Sequence, residues 1–406
     1  MLRHLNSTSL SNLLFLFNRI WTEQKYPSQS HEATLIPILK PGEDSSNPLN
    51  YRPIALISCL CKTLERMVNA RLVFELEKQG YISSLQSGFR KGRSTFDNLV
   101  LLETQIRNAF VRRNHLVSIF FDIEKAYDRT WRYGILLTLF NFGFRGNLPI
   151  FLGNFLSHRT LRVRMRNFYS NHFIQAEGVP QGSVLSVTLF IVHLSQILHH
   201  LPSYVHGSLY VDDLQISCQG SNMNMIERQL QNAVNKLVAW CDNNGHTILF
   251  FAEKSRCVHF CRKRNVHLDP NIQIRNAPIP VVNEIRFWGV IFDRKVSFLP
   301  HIFHLRKKCE RSLNILKVLS RTSWGADRTS LLRVYQAVIF SSIDYGCMVY
   351  GCARPTVLMR LDTIYDSALR ICSGAFRTSP IEILYVISPQ GHIFFRYDVI
   401  HDPEVP

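Results

Sequence analysis

Apolar and polar positions along this chain follow two periods. Runs of strand length, alternating or continuously apolar, fall at 33–39, 116–121, 206–209, 214–218, around Val258 and at 287–291. A period near 3.6 predicts helices at 10–21, 63–78, from Ser94 onward, 225–241 and 299–319. Each has a defined apolar face. Leu64, Met67, Val68, Leu72 and Leu76 share one, and Leu99, Leu102, Ile106 and Phe110 share the next. Ile302, Leu305, Cys309, Leu313 and Leu316 form the last. Ser94, with Asp97 three residues on, reads as a capping box, and Gly80 and Gly245 read as helix stops.

The stretch Tyr210-Val211-Asp212-Asp213 lies between two of the strand runs and predicts a hairpin turned by two acids. Adjacent carboxylates repel, and half-buried ones need a cation or a basic partner to stay ionised. An isolated Asp-Asp would be ordinary turn chemistry. The upstream strand 116–121 alters that reading, because it delivers Asp122 at its end. If the two strands are antiparallel neighbours, three carboxylates converge. Three hard oxygen donors suit Mg²⁺, and a pair of such ions roughly 3.5–4 Å apart is the clamp of in-line phosphoryl transfer.

Composition narrows the class. At 406 residues the chain is long enough for two or three packed subdomains, and 46% apolar with 19% charged residues describes a folded protein. The net charge of +17 implies a polyanionic partner. None of the ten cysteines forms a CxxC pair, so a disulfide frame and a zinc ribbon are disfavoured. Cys257, His259 and Cys261 share a strand face but lack a fourth ligand nearby in sequence. The cysteine usage implies an intracellular setting, nuclear or cytoplasmic, with no clear targeting signal. The uncharged stretch 178–211 is broken by Gly178, Pro180, Gly182 and Pro202. It reads as a helix buried beneath the acids, not as a membrane span.

Cationic groups recur at positions suited to phosphates. Lys40 and Arg52 bracket a loop after the first strand. Gly88-Phe89-Arg90-Lys91-Gly92-Arg93 interleaves glycines, bases and an aromatic, as a loop against a nucleic-acid backbone would. Arg159 to Arg166 predicts a basic strand pair. Gly178-Val179-Pro180-Gln181-Gly182 predicts a tight strand-to-helix junction. Lys307, Lys308 and Arg311 lie on the polar side of the 299–319 helix; such a stripe reads either as a solvated face or, with the acids upstream, as a face for a duplex.

In order along the chain stand LIPILKPG, NYRPIALIS, GFRKGRST, FFDIEKAYDR, GVPQGSVLS, YVDD and FWGVIFDRKVSF. This set resembles the reverse transcriptases of non-LTR retrotransposons, jockey-like ones in particular, over about residues 10–385. The resemblance implies an α+β, right-hand polymerase fold with fingers, a palm built on an antiparallel sheet, and a helical thumb. It divides the chain into an N-terminal helical remnant (1–20), fingers and palm (21–292), thumb and connection (293–385), and an atypical tail (386–406). It implies a nucleotidyltransferase of a transposable element: an RNA-directed DNA polymerase that uses an RNA template, a DNA primer and dNTPs. Its cofactor would be two Mg²⁺ ions, for which Mn²⁺ can substitute.

Carried over by position, Asp122, Asp212 and Asp213 would be the catalytic metal ligands, assisted by the backbone carbonyl of Ile123. Lys254 would be a general acid beside the leaving pyrophosphate. Tyr127 would exclude a 2′-hydroxyl, Gln181 and Gly182 would lie beside the nucleotide and template, and Lys40 and Arg52 would meet the triphosphate. Arg90, Lys91 and Arg93 would contact the template, and Lys307, Lys308 and Arg311 the duplex.

Some positions depart from the family pattern. Val187 and Ile191 stand where Pro and Asn are usual, Gln196 where an acid is usual, and Ala252-Glu253-Lys254-Ser255 replaces an Asn/Pro-Ser-Lys-Thr run. The chain starts in the region before the fingers, without the endonuclease or an RNase H segment, as expected of a truncated copy. The alternative is a decayed relative that binds nucleic acid without polymerising; a maturase- or telomerase-like relative is a third reading.

Overall fold

The strand over residues 115–121 is paired on both sides within the main sheet. A computed structural model describes residues 4–27, 30–123, 127–244, 252–263, 268–321 and 323–387. The expected helix stop Gly245 and the tail after residue 387 lie outside them. The chain opens with α1 (Ser7–Glu23), strands β1 (Glu32–Leu39) and β2 (Tyr51–Leu56), and helices α2 (Cys59–Lys78) and α3 (Thr95–Val111). The Ser94 and Asp97 side chains form the expected capping box on α3. Then comes β3 (His115–Phe121), buried at every position.

Helices α4 (Arg132–Asn141) and α5 (Asn147–Leu156) follow, then β4 (Thr160–Met165) with short partners β5 (Phe168–Tyr169) and β6 (Phe173–Ile174). The uncharged stretch forms α6 (Val184–Leu194), which tightens into a 3₁₀ turn (Ser195–His200). Val187 packs partly buried within α6, and Ile191 is 2% exposed, so both departures are absorbed by apolar packing. Strands β7 (His206–Tyr210) and β8 (Asp213–Gly220) make the expected hairpin, followed by α7 (Met223–Asn243) and β9 (Arg256–Phe260).

The order in the main sheet is β7-β8-β3-β9, all antiparallel. A sheet covered on both faces explains why β3 has no polar edge to show water. Val117, Ile119 and Phe121 enter one core with residues of α2, α6 and α7. Leu116 and Phe120 enter a second core with α3 and the helices at the C-terminal side. This is the palm sheet expected of an α+β polymerase fold.

Residues beyond β9 form β10 (Gln273–Ile274), β11 (Ala277–Pro278), β12 (Glu284–Phe287) and β13 (Val290–Asp293). The expected single strand at 287–291 is therefore a hairpin turned at Trp288-Gly289, with Phe287 paired to Val290. The glycine, at φ +85°, permits that turn, which apolar continuity alone did not reveal. Helix α8 (Leu299–Leu319) matches the expected bounds and inward face. It packs with α9 (Arg328–Tyr335), short α10 (Ser341–Asp344) and α11 (Cys347–Tyr350), α12 (Pro355–Ser373) and α13 (Ile381–Ile387).

A second sheet, β2-β1-β4-β5 with β6 beside β4, carries the first basic residues. Its small core is Ala33, Ala55, Ile57 and Leu161. Two expectations fail in detail. Met67 is exposed while Glu65, on the other side of α2, is buried. Arg159 is fully buried before β4 begins, so it leaves the exposed basic face to Arg162 and Arg164. No described helix is long and apolar enough to cross a membrane, and all ten cysteines are free thiols.

Candidate active site

The register of the main sheet brings the distant acids together. Phe121 pairs with Leu214, so Asp122 follows one and Asp213 precedes the other on adjacent antiparallel strands. Tyr210 pairs with Asp213, which leaves Val211 and Asp212 as the two-residue turn. The expected turn of two acids is thus corrected: Asp213 is the first residue of β8. Ile123 follows Asp122 and is buried.

Burial and the neighbouring acids perturb two of these carboxyls, Asp212 and Asp213. Burial, then the charge of Asp122, raises Asp212 above the usual carboxylate range. Burial, then the charges of Asp212 and Asp122, pushes Asp213 up to about 7, although part of its side chain still meets solvent. Such a donor set suits a divalent cation, whose charge would offset both the desolvation and the mutual repulsion.

The turn itself is strained. Val211 sits at φ +62°, a region that β-branched residues rarely adopt. Gln86, fully buried, holds it there. The Gln86 Oε1 accepts from Val211 N at 3.0 Å and from Gly88 N at 2.8 Å, and its Nε2 donates to the Val211 carbonyl at 3.4 Å. Backbone bonds from Ser87 N to Leu209 O and from Leu209 N to Leu85 O lay this segment along β7. A Cβ on Gly88 would come within 2.6 Å of Val211, so close approach requires glycine there. Sequence reasoning passed over Gln86 as the start of a cationic loop. The only signal was its place two residues before a glycine.

Arg90, expected on the template, is spent inside the protein. It forms a bidentate pair with Glu77 and donates to the carbonyls of Ser83 and Gln86 at 2.8 and 3.0 Å. It therefore buttresses the turn that holds Gln86. Lys91 and Arg93 remain exposed, Arg93 beside Asp97. Lys307, Lys308 and Arg311 are exposed on α8. Lys308 shares a cleft with Arg286, His304 and Trp288. The Trp288 ring meets Tyr210 edge-on at 4.4 Å, so that cleft opens beside the acid hairpin.

Tyr127 stacks on Phe190 of α6 at 4.4 Å. Burial, and then the charge of Asp212, raises its hydroxyl pKa, which places the ring close to the acids. The Gly178–Gly182 junction is clamped from two sides. The Gln181 amide donates to Asp128 Oδ1 at 2.7 Å, and its carbonyl accepts from Ala55 N of β2 at 2.9 Å. Gly182, at φ +111°, has the Ala55 carbonyl 2.5 Å from where a Cβ would stand. Glu65 accepts from Ser183 Oγ at 2.6 Å and from Val184 N at 2.8 Å, an anionic cap on α6.

Lys40 follows β1 directly and Arg52 lies on β2, at the end where Lys40 N donates to Asn50 O and Ile38 pairs with Arg52. They belong to the sheet that touches Gln181, not to the sheet that carries the acids. Lys254 is exposed two residues before β9, at the Asp122 end of the main sheet, where Phe120 pairs with Arg256.

Residues 38–292 match the family described as reverse transcriptase (RNA-dependent DNA polymerase). The chain is 27% identical to a probable RNA-directed DNA polymerase from transposon X-element of Drosophila melanogaster, over 92% of this chain and 41% of that one. It is 28% identical to one from transposon BS of the same fly, over 88% and 40%. It is 27% identical to that of mobile element jockey, over 94% and 42%. The chain thus spans about two fifths of these relatives. Apo telomerase from Candida tropicalis overlays with a TM-score of 0.47 at 12% identity, covering 98% of this chain and 71% of that one. By the match over 38–292, this chain belongs to the reverse transcriptase family.

Proposed function

We propose that this chain is the polymerase part of a non-LTR retrotransposon protein. It would transfer dNMP from a dNTP to a DNA primer 3′-OH on an RNA template. One observation carries the reading: the β3–β8 register sets Asp122 opposite Asp213, with Asp212 on the adjoining turn. Asp122, Asp212, Asp213 and the Ile123 carbonyl would hold two Mg²⁺ ions. Bound there, the ions supply charge neutralisation and activation of the attacking hydroxyl.

The protein's own groups do the rest. The primer 3′-oxygen bonds to the α-phosphorus as the bond to pyrophosphate breaks, and Lys254 gives the leaving group a proton. Lys40 and Arg52 grip the triphosphate from the second sheet. Tyr127, held flat by Phe190, fills the space where a 2′-hydroxyl would sit. Gln181 and Gly182 form a rigid floor beside the incoming base, fixed by Asp128 and β2. Lys91, Arg93, Lys307, Lys308 and Arg311 are exposed and offer counter-charge to the nucleic-acid backbone.

The test is primer extension on poly(rA)/oligo(dT) with purified protein, with and without Mg²⁺. Mg²⁺-dependent incorporation that disappears in Asp212→Asn and Asp122→Asn supports the reading. Tight RNA–DNA binding with no extension by the unaltered chain overturns it in favour of a binding protein.

A further inference from the structure

Strand β3 begins with His115 and is followed at its other end by Asp122, and the His115 end carries its own cluster. His115 and His259 are each 3% exposed and face one another with Nδ1 of the first 2.9 Å from Nε2 of the second. Val117 pairs with His259 and Leu116 with Phe260, so continuing the register sets Cys261 opposite His115. Among the described residues, His115, His259 and Cys261 offer ligand atoms that all lie within 4.8 Å of one another. Cys257, which shares their strand face in sequence, lies deeper and belongs to the apolar core.

We propose that His115, His259 and Cys261 form a Zn²⁺ site separate from the acids. Imidazole nitrogen and thiolate sulfur are both donors that zinc takes. Bound at about 2.05 Å each and at tetrahedral angles, the two nitrogens would stand about 3.3 Å apart, a few tenths wider than they now are. Water completes the fourth position beside half-buried Cys261.

The surroundings supply a second, independent sign. His259 Nδ1 is 3.2 Å from Asp269 Oδ1, the carboxylate–histidine arrangement that orients a metal-ligating imidazole. Arg294 holds the other Asp269 oxygen at 2.6 Å. Lys263 Nζ lies 3.1 Å from His115 Nε2. When Nδ1 binds metal, Nε2 carries the proton, so the exposed Lys263 side chain swings away.

The site fastens the edge strand β9 to β3, roughly 23 Å from Asp122 along the strand. Its role is therefore structural: it sets the register of β9, and Lys254 precedes that strand. The proposal does not depend on polymerase activity.

The experiment uses the full chain, dialysed against chelator and then exposed to ZnCl₂ with Mg²⁺ in excess. The expected result is one zinc per chain, and a thiolate-to-metal charge-transfer band when CoCl₂ replaces zinc. Cys261→Ser, a conservative change at a half-buried position, should remove the band and most of the bound zinc. Asp269→Asn should weaken binding about 10–100-fold, and Lys263→Ala should strengthen it. Asp213→Asn should leave stoichiometry unchanged. Sub-stoichiometric zinc in the unaltered chain, or equal zinc in Cys261→Ser, overturns the site. So does zinc lost in Asp213→Asn but kept in Cys261→Ser.

Discussion

The two ends of β3 solve opposite problems with one strand. At one end burial and the neighbouring acids raise Asp212 and Asp213 above the usual carboxylate range. At the other, His115, His259 and Asp269 satisfy each other through hydrogen bonds. The difference teaches where a cation is needed and where it is optional. The acid end stores electrostatic repulsion that a hard cation would relieve. The imidazole end is already paired, so a metal there would replace the His115–His259 contact, keep the His259–Asp269 bond and act as a fastener.

Removing an acid should separate the ends most sharply. Asp212→Asn or Asp122→Asn should lower dNTP incorporation by about 10³-fold or more, because charge neutralisation in the transition state is lost. Thermal stability should hold or rise, since a source of repulsion is gone. Loss of the fold in both variants would break the comparison.

Next comes the strained turn. Gln86→Ala removes three hydrogen bonds around Val211 and should cost about 1–3 kcal/mol of stability. Single-turnover extension should slow about tenfold or more as Asp212 loses its fixed position, while template affinity holds. Unchanged single-turnover rates would show that Val211 keeps its conformation unaided.

The pH response should follow the acid end. Because the folded carboxyl of Asp213 is raised, ionising it opposes folding: stability falls as pH climbs from the ordinary carboxylate range to about 7. A cation binds the ionised form. The Mg²⁺ concentration for half-maximal extension should therefore rise as pH drops below about 7. Mg²⁺ should also raise Tm more at pH 8 than at pH 5.5. A pH-independent Mg²⁺ requirement would remove the electrostatic basis assigned to this end.

The smallest effects concern the imidazole end and the surface. Cys261→Ser should lower Tm of the zinc-loaded chain by a few degrees, by loss of a bound ligand, while Mg²⁺-dependent extension stays within about twofold. Lys308→Ala should weaken duplex binding about equally across sequences and flatten its salt dependence. Arg90→Ala should instead act on stability, because its guanidinium binds Glu77 and two carbonyls.

Much of this was legible in one dimension. The apolar period located α3 and α8 closely, and the two strand runs around Tyr210 located the β7–β8 hairpin. Local patterns are visible wherever one face is buried and the other is wet. Positions whose partners lie far away in sequence stayed hidden. Nothing adjacent to Gln86 indicates that its amide closes on Val211, 125 residues on. Nothing near Arg90 or Glu65 shows that they are used internally. The Trp288-Gly289 turn was hidden for a different reason: an apolar run has the same appearance whether or not it folds back.

By itself the sequence determined the donor chemistry of the three carboxylates and set His259 and Cys261 on one strand face, with His115 unremarked. It also determined the elements that carry them, because side-chain type and local period need no distant partner. Which donors meet was decided by tertiary structure. Antiparallel pairing sets Asp122 beside Asp213 and His115 beside His259, and only the register of three strands says so. A shift of one residue would turn every one of those side chains to the opposite face of the sheet.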